Sequence, residues 1–439
     1  MPDWRLVTSD SSGEISEHRT LFAQGMTFGG PRPLGEMIPL PRGATLCFLP
    51  GRVAAGLSRR GAPVAAEGAA RFAVGALLPT GYGRLQLPAF VREDGAPTLP
   101  LFGYTAVAAR AGRLYVAATP IDDAATWRPS LFGTPDLKDR VDTMLSAAPH
   151  SRLLRQLALC ALDYGCYTAQ NMFYRRWEGA IPSSPQCSAQ CVGCISEQLG
   201  QEVTSPQDRL PFSPTPEEIA EVAVPHLREA EQAMISFGQG CEGDPLNRWR
   251  PLAQSIRLIR QATTRGTINM NTNGWHTRGL DHMCEAGLGR IRVSLFSATH
   301  DGYNAYYRPR GYTLDSVERS MRLAHDRGLY VAINLLTFPG YTDALGEVDA
   351  LCGLLERTAA DEVQVRTLNI DPAMLRSAVP LPTGDELGIK EFVATLRRRL
   401  PGLHVATHSR PAPQRAAAPS GELTTPRVAV AAHAEGRSG

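Results

Sequence analysis

The sequence predicts an α/β protein in which six βα units in series form a parallel sheet, curled into an open or partial barrel. From residue 178 onward, short apolar strands alternate with amphipathic helices. Strands such as "MISFG" and "YVAINLLTF" are apolar with little strict alternation, which is typical of parallel strands buried on both faces. In such a sheet the binding residues gather at the C-terminal ends of the strands.

The six strands of the predicted barrel are expected near 179–183, 233–237, 267–271, 290–295, 329–335 and 362–368. We place the barrel itself at residues 178–375 and a C-terminal α/β extension at 376–408. The last segment, 409–439, is rich in Ala, Pro and Gly without a period, and we predict that it is a disordered tail.

The region before the barrel has a different pattern of apolar residues. Residues 1–135 carry short apolar runs broken by turn residues, which predicts a β-rich N-terminal domain with a possible role in substrate recognition. Two alternating runs around Ala111 and Gly112 predict a hairpin. Residues 136–177 repeat apolar positions at helical spacing and are expected to form a helical connector.

Charge and hydropathy narrow the class of protein. The formal net charge is +2 in 439 residues, so nucleic acid is not an expected partner. The first residues show no apolar signal-peptide core, and no apolar run approaches the length of a membrane span. We therefore expect a cytoplasmic protein without a membrane partner. In that reducing compartment, clustered cysteines indicate metal binding or catalysis more than disulfides.

Three of the nine cysteines fall in the stretch "CSAQCVGC", as Cys187, Cys191 and Cys194. No fourth cysteine or histidine lies nearby in the sequence. The spacing favours an iron–sulfur cluster, which thiolates bind well. A zinc site and structural thiols remain alternatives, the zinc needing a fourth ligand from elsewhere in the fold. Cys160, Cys166 and Cys241 are interpreted as core thiols.

The cysteine stretch after the first barrel strand resembles the radical S-adenosylmethionine (radical SAM) superfamily. Further stretches follow the later strands as they do in that family: "GCEGDPL", "INMNTNG", "IRVSLFSATHDGYNAYYRPRGY", "AINLLTFPGYTD" and "VQVRTLNIDP". The resemblance covers about 178–375 and implies a partial (βα)6 TIM-like barrel. It implies that Cys187, Cys191 and Cys194 bind a 4Fe–4S cluster whose fourth iron takes S-adenosyl-L-methionine.

The resemblance also implies a set of cofactor-binding residues. Glu242, Gly243 and Asp244 occupy the family's Gly-Gly-Glu-Pro turn, with Glu242 in place of a glycine and Asp244 in place of the glutamate. The other candidates follow the third and fourth strands: Asn273, Ser294, Asn304 and Arg308. Gly193 departs from the family pattern, because a large apolar residue that packs on adenine usually precedes the third cysteine.

The implied activity is reductive cleavage of S-adenosylmethionine to a 5′-deoxyadenosyl radical, which abstracts hydrogen from a small-molecule or peptide substrate. An external electron donor of flavodoxin or ferredoxin type would be needed. The residues assign no catalytic side chain. The alternative function is a non-catalytic zinc- or iron–sulfur-bearing binding protein.

Overall fold

The computed structural model describes residues 4–198 and 203–412, which form a strand-rich N-terminal part, three connecting helices and a parallel α/β part. The predicted α/β class with a β-rich N-terminal region is thereby confirmed. The tail predicted at 409–439 lies outside the described residues beyond position 412. The domain boundaries drawn from the sequence remain predictions.

The N-terminal part is an antiparallel assembly of thirteen strands. Eleven of them form one sheet, while β8 and β13 pair separately. The strands are β1 (Arg5–Ser9), β2 (Ile15–Thr27), β3 (Gly30–Pro33), β4 (Ile38–Pro39), β5 (Thr45–Leu57), β6 (Pro63–Ala65), β7 (Phe72–Leu77), β8 (Tyr82–Arg84), β9 (Leu87–Pro88), β10 (Phe90–Arg92), β11 (Thr105–Arg110), β12 (Arg113–Val116) and β13 (Ala118–Pro120).

The hairpin predicted around Ala111 and Gly112 is confirmed as β11 and β12, which pair in antiparallel register from Arg110 opposite Arg113. Ala111 and Gly112 have φ of 50° and 70°. Two consecutive positive φ values are the signature of the tight turn whose twist matches the two strands.

Helices fill the connecting region, as its apolar periodicity predicts. They are α1 (Leu137–Ala147), α2 (Arg152–Leu162) and α3 (Tyr167–Tyr174). Ser151 begins α2 and its Oγ accepts a hydrogen bond from the amide of Leu154 at 3.3 Å, which satisfies a backbone donor at the helix start.

The α/β part contains one parallel sheet whose strands are ordered as they are in the chain. The strands are β14 (Arg176–Ala180), β15 (Glu231–Phe237), β16 (Thr267–Thr272), β17 (Arg290–Leu295), β18 (Tyr330–Thr337), β19 (Glu362–Thr367) and β20 (His404–Ala406). The helices are α4 (Pro216–Glu229), α5 (Trp249–Ala262), α6 (Thr277–Ala286), α7 (His300–Tyr307), α8 (Leu314–Asp326), α9 (Leu345–Thr358), α10 (Pro372–Ala378) and α11 (Ile389–Arg399).

The six predicted strands correspond to β14–β19, and the structure adds a seventh. β20 pairs in parallel with β19, with Val405 opposite Val363. Only three residues long, β20 is too short to show a periodicity, and the sequence placed it inside the C-terminal extension. The sheet order runs from β14 to β20 without a pairing between these two edges in the described residues, so the barrel is open.

The N-terminal part is fixed to the parallel sheet near the ends of β18–β20. Arg52 and Asp371 form a buried ion pair at 2.7 Å, with side chains 0% and 2% exposed. Arg84 donates to the carbonyl of Leu368 at 3.2 Å, and the Phe28 amide donates to the carbonyl of Pro339 at 2.8 Å. Buried polar contacts of this kind hold the two parts in one orientation.

Across residues 4–198 and 203–412, the helices are all too short or too polar to cross a bilayer.

Candidate active site

A cavity of about 670 Å³ opens at the C-terminal ends of the parallel strands, a volume typical of small-molecule sites. Side chains of β16–β19 line it, together with residues 187–196 of the loop after β14. The N-terminal part contributes Thr80, Leu101 and Trp127 to the wall. Both halves of the protein therefore enclose the same space.

The loop at 183–198, here the cysteine loop, carries the three clustered cysteines to this cavity. Backbone hydrogen bonds tie it to the C-terminal end of α7 and the residues that follow. They join the Gln190 amide to the Tyr307 carbonyl at 3.0 Å, the Val192 amide to the Tyr306 carbonyl at 2.9 Å, and the Arg310 amide to the Ser188 carbonyl at 2.9 Å. These backbone hydrogen bonds hold the loop against α7.

The three thiols are free of disulfides and line the same cavity. Burial and the nearby carboxylate of Asp244 raise the pKa of Cys187 to about 11. Burial and the two neighbouring thiols raise the pKa of Cys191 well above its usual value. Buried, mutually repelling thiolates need a bound cation, which metal binding supplies as it displaces the protons.

The three thiols form a soft donor set. Thiolates are the usual ligands of iron–sulfur clusters, in which each thiolate binds one iron. A structural zinc ion would need a fourth ligand around the same centre. The chemistry of the donor set therefore fits a cluster.

Arg209 brings a positive charge to the third cysteine. Its Nη2 lies 3.6 Å from Cys194 Sγ, and its Nε donates to Ser196 Oγ at 3.2 Å. It also pairs with Glu197. Because hydrogen bonds to ligand sulfur tune the potential of a cluster, Arg209 is placed to affect the redox chemistry of this loop.

Glu242 lies in the cavity wall, but its carboxylate is fully used within the protein. Oε2 accepts hydrogen bonds from the amide and hydroxyl of Ser183, both at 2.7 Å, and from the Ser184 amide at 2.8 Å. Oε1 accepts from the amides of Gly238 at 2.7 Å and Gln239 at 2.8 Å. Burial raises the pKa of Glu242 to about 7. The side chain joins the loops after β14 and β15 and leaves no oxygen free for a ligand.

Asp244 has the same character. Its Oδ1 accepts from the Leu246 amide at 2.9 Å, its Oδ2 from the Asn273 amide at 2.6 Å, and both oxygens accept from Thr272 Oγ1 at 3.0 Å. Burial raises the pKa of this carboxyl to about 6. Asp244 thus orders the turns after β15 and β16, and the backbone of its turn is the part left to face a ligand.

Gly243 is the closest contact between the turn and the cysteine loop. Its amide donates to the Ser184 carbonyl at 2.7 Å, and the next amide, of Asp244, donates to the Gln186 carbonyl at 2.8 Å. A Cβ at position 243 would lie 2.0 Å from the Gln186 carbonyl oxygen. Only glycine allows the two backbones to approach this closely.

Gly243→Ala is therefore expected to push the turn away from the cysteine loop, at a cost of about 1–3 kcal/mol from overpacking. The midpoint of thermal unfolding and the iron content after reconstitution measure the effect. Gly402→Ala is the matched control, since no atom lies within 4 Å of its added Cβ, and it should stay within about 0.5 kcal/mol of wild type. Equal midpoints and equal iron in the two variants would contradict the close-approach argument.

The remaining candidates divide into two groups. Asn273 and Ser294 line the cavity, and Asn273 Nδ2 donates to Ser188 Oγ of the cysteine loop at 2.9 Å. Asn304 and Arg308 are exposed on and after α7 and are not among the residues that line the cavity. Their role in cofactor binding stays a prediction. The α7 segment presents Tyr306 and Tyr307 to the cavity instead.

The structure also explains why position 193 is a glycine. Its φ is +66°, and a Cβ there would lie 2.9 Å from Ile370 Cδ1. Ile370, which follows β19, is 2% exposed. The space that a large residue at position 193 would fill is thus occupied by Ile370 from a different strand end.

The sequence reasoning missed a charged layer inside the barrel. Arg292 Nη2 pairs with Glu178 Oε1 at 2.9 Å, while its Nε donates to Asn271 Oδ1 at 2.7 Å and its Nη1 to Gln364 Oε1 at 3.2 Å. Although burial acts to raise it, the pKa of Glu178 is lowered because Arg292 and Ser236 stabilise the carboxylate. In the sequence, this layer is indicated by charged residues at alternate positions of apolar strands, as in "RIRVSL".

Three further thiols, interpreted from the sequence as core thiols, are Cys160, Cys166 and Cys241. Cys160 and Cys241 are buried, at 2% and 5% exposure, and their thiols interact with each other. Their placement agrees with core packing. Cys166 is half-buried, lines the cavity and lies 3.2 Å from Thr168 Oγ1.

Comparison with known protein families gives a match over part of the chain. Residues 181–351 match the family described as the Radical SAM superfamily. Comparison with curated protein sequences gives no match.

Three solved structures illustrate the similarity, and in each the alignment spans less than two thirds of the solved chain. One is a radical SAM methyltransferase from Sphaerobacter thermophilus, with 16% identity over 53% of this chain and 65% of that chain and a TM-score of 0.38. Another is SuiB from Streptococcus suis bound to S-adenosylmethionine, with 12% identity over 63% and 61% and a TM-score of 0.38. The third is the radical S-adenosylmethionine methyltransferase TsrM from Kitasatospora setae with cobalamin and a 4Fe–4S cluster bound, with 15% identity over 45% and 38% and a TM-score of 0.34.

Proposed function

We propose that this chain is a radical SAM enzyme, since residues 181–351 match that superfamily, and that it reductively cleaves S-adenosylmethionine at a 4Fe–4S cluster held by Cys187, Cys191 and Cys194. When bound, the cluster and S-adenosylmethionine supply a 5′-deoxyadenosyl radical that abstracts hydrogen from a substrate. The observation that carries the proposal is the cysteine loop itself, which presents three free thiols to one cavity at the mouth of the sheet.

The chain's own residues support this chemistry by ordering the site in advance. The carboxylates of Glu242 and Asp244 accept hydrogen bonds from backbone amides and so fix the turns that border the cysteine loop. The turn backbone is left to contact the amino and carboxylate groups of S-adenosylmethionine. Such preorganisation avoids ordering costs when ligands bind.

Other residues are available to the ligand or the substrate. Ser294, Asn334 and Asn369 line the cavity. Tyr306 and Tyr307, at 4% and 3% exposure, close the side next to α7. Aromatic walls of this kind exclude water from a reactive centre.

For the partners, we propose a small-molecule or peptide substrate that contacts the N-terminal part, since Thr80, Leu101 and Trp127 belong to the cavity wall. A flavodoxin- or ferredoxin-like donor would supply the electron. Nucleic acid is not expected, given the formal net charge of +2. The cytoplasm is the compartment in which the free thiols would persist.

A non-catalytic zinc-binding protein is the competing function, and metal analysis separates the two. Protein reconstituted without oxygen is expected to hold about four irons and an equal amount of sulfide per chain, in a cluster bound by thiolates. Elemental analysis and visible absorption measure this. One zinc and no iron per chain would contradict the proposed function.

A further inference from the structure

The interior of the barrel carries arginines at three positions, and two of them have glutamate partners. Arg290 Nη2 lies 2.6 Å from Glu362 Oε1, and Arg292 Nη2 lies 2.9 Å from Glu178 Oε1. All four of these side chains are buried, or nearly so. In each pair the charge of the arginine is balanced by that of its glutamate.

The third arginine, Arg366, lines the cavity, as Arg292 does, but has no such partner. It belongs to β19, two residues beyond Gln364, so the two side chains point to the same side of the strand. Its Nη1 donates to the Thr407 carbonyl at 2.6 Å. Within residues 4–198 and 203–412, no carboxylate lies within ion-pairing distance of it.

The nearby carboxylates are already engaged. Glu178 and Asp122 both lie within electrostatic range of Arg366. Glu178 binds Arg292, while Asp122 accepts a hydrogen bond from Thr407 Oγ1 at 2.6 Å and lies 3.0 Å from His408 Nδ1. Of the three arginines, Arg366 is therefore the one that makes no ion pair with a carboxylate in the part of the chain that the structure describes.

Arg366 is also open to a ligand. Arg366 lines the cavity, and its accessible surface faces that cavity. The protein atoms around it displace water and so lower the pKa of its guanidinium. On the neighbouring strand β18, Leu336 is in register with Arg366. Asn334 lies two residues before Leu336 and therefore on the same face of that strand. Asn369 follows β19 and lines the same cavity.

We propose that Arg366, with the amides of Asn334 and Asn369, binds a carboxylate group of the substrate. This inference rests on the proposed function, because it assigns the substrate class of the same cavity. The planar guanidinium matches a carboxylate, and neutral amides add hydrogen bonds without further charge. A single guanidinium without an ion-pair partner suits a singly charged carboxylate, whereas a phosphate ester would bring about two charges.

The test uses full-length protein with its cluster reconstituted, and small probes in place of the unidentified substrate. The probes are N-acetylglycine and acetate, each compared with its amide, N-acetylglycinamide and acetamide, at constant ionic strength. Ligand that binds only the folded state raises the unfolding temperature in proportion to its affinity. We expect the two carboxylates to raise the unfolding temperature of wild type and the two amides to leave it unchanged.

Substitutions test whether Arg366 is the residue that binds the carboxylate probes. Arg366→Gln should weaken the apparent affinity for the carboxylates by about 10–100-fold, the range for loss of a charge-assisted hydrogen bond. Arg366→Lys keeps the charge and should retain part of the response, which also shows that the position tolerates substitution. Arg322→Gln, at an exposed position on α8, is the control and should respond as wild type does.

Two results would overturn the inference. One is an absence of carboxylate-selective stabilisation in wild type, or the same stabilisation in Arg366→Gln. The other concerns the source of the carboxylate: if equilibrium dialysis shows that Arg366→Gln weakens S-adenosylmethionine binding by the same factor, the bound carboxylate is that of S-adenosylmethionine. The proposed function fails separately, through absence of S-adenosylmethionine cleavage by wild type.

Discussion

Cys191→Ala is expected to prevent stable cluster assembly and to lower S-adenosylmethionine cleavage by more than about 100-fold. Loss of a partner outside the ligand shell can already cost about 10–100-fold in metal affinity, and here a ligand itself is removed. The Cys191 thiol lies between the other two in the cysteine loop and interacts with both. Iron and sulfide per chain after reconstitution, together with the rate of 5′-deoxyadenosine formation, measure the loss.

Cys284→Ala is the matched control, because this thiol lies on α6 and is not among the residues that line the cavity. It should keep wild-type iron content. Full iron and full cleavage in Cys191→Ala would refute the ligand assignment, while equal losses in both variants would point to misfolding instead of cluster loss.

Arg52→Met is expected to destabilise the folded protein by about 3–5 kcal/mol. Breaking a buried ion pair from one side leaves the other charge uncompensated, and Asp371 is only 2% exposed. Asp371 also accepts hydrogen bonds from the amides of Leu99 and Ala373, both at 3.0 Å. The pair therefore joins the N-terminal part to the segment that follows Asn369, which lines the cavity.

Two further variants identify the cause of that loss, measured by thermal or denaturant unfolding. Lys138→Met breaks an exposed pair with Asp142, at 72% and 54% exposure, and should cost less than about 1 kcal/mol. The double variant Arg52→Met/Asp371→Asn removes both buried charges and should be more stable than Arg52→Met alone. An Arg52→Met variant no less stable than Lys138→Met would show that the pair contributes little to the joining of the two parts.

The parallel sheet and the cysteine loop were predictable because both leave local signals. Strands buried on both faces appear as short apolar runs, and β14–β19 coincide with such runs to within a few residues. The spacing of Cys187, Cys191 and Cys194 restricts the thiols to one loop. The cavity position of Asn273 and Ser294 follows from their place at strand ends.

What the sequence could not predict depends on which way side chains point and on contacts distant in the chain. Asn304 and Arg308 follow the correct strand, but the helical turn of α7 directs Tyr306 and Tyr307 to the cavity in their place. The hydrogen bonds that occupy Glu242 and Asp244 come from three different loops. That Arg366 makes no ion pair, unlike Arg290 and Arg292, becomes visible only in the folded structure.

The most direct test of the central claim is the fate of S-adenosylmethionine with the reconstituted protein under anaerobic conditions. After reduction with dithionite, the wild-type protein is predicted to form 5′-deoxyadenosine and methionine in equal amounts, even slowly and without added substrate. Chromatography with mass detection quantifies both products. A protein that holds a full complement of iron and sulfide, binds S-adenosylmethionine and still forms no 5′-deoxyadenosine would contradict the account.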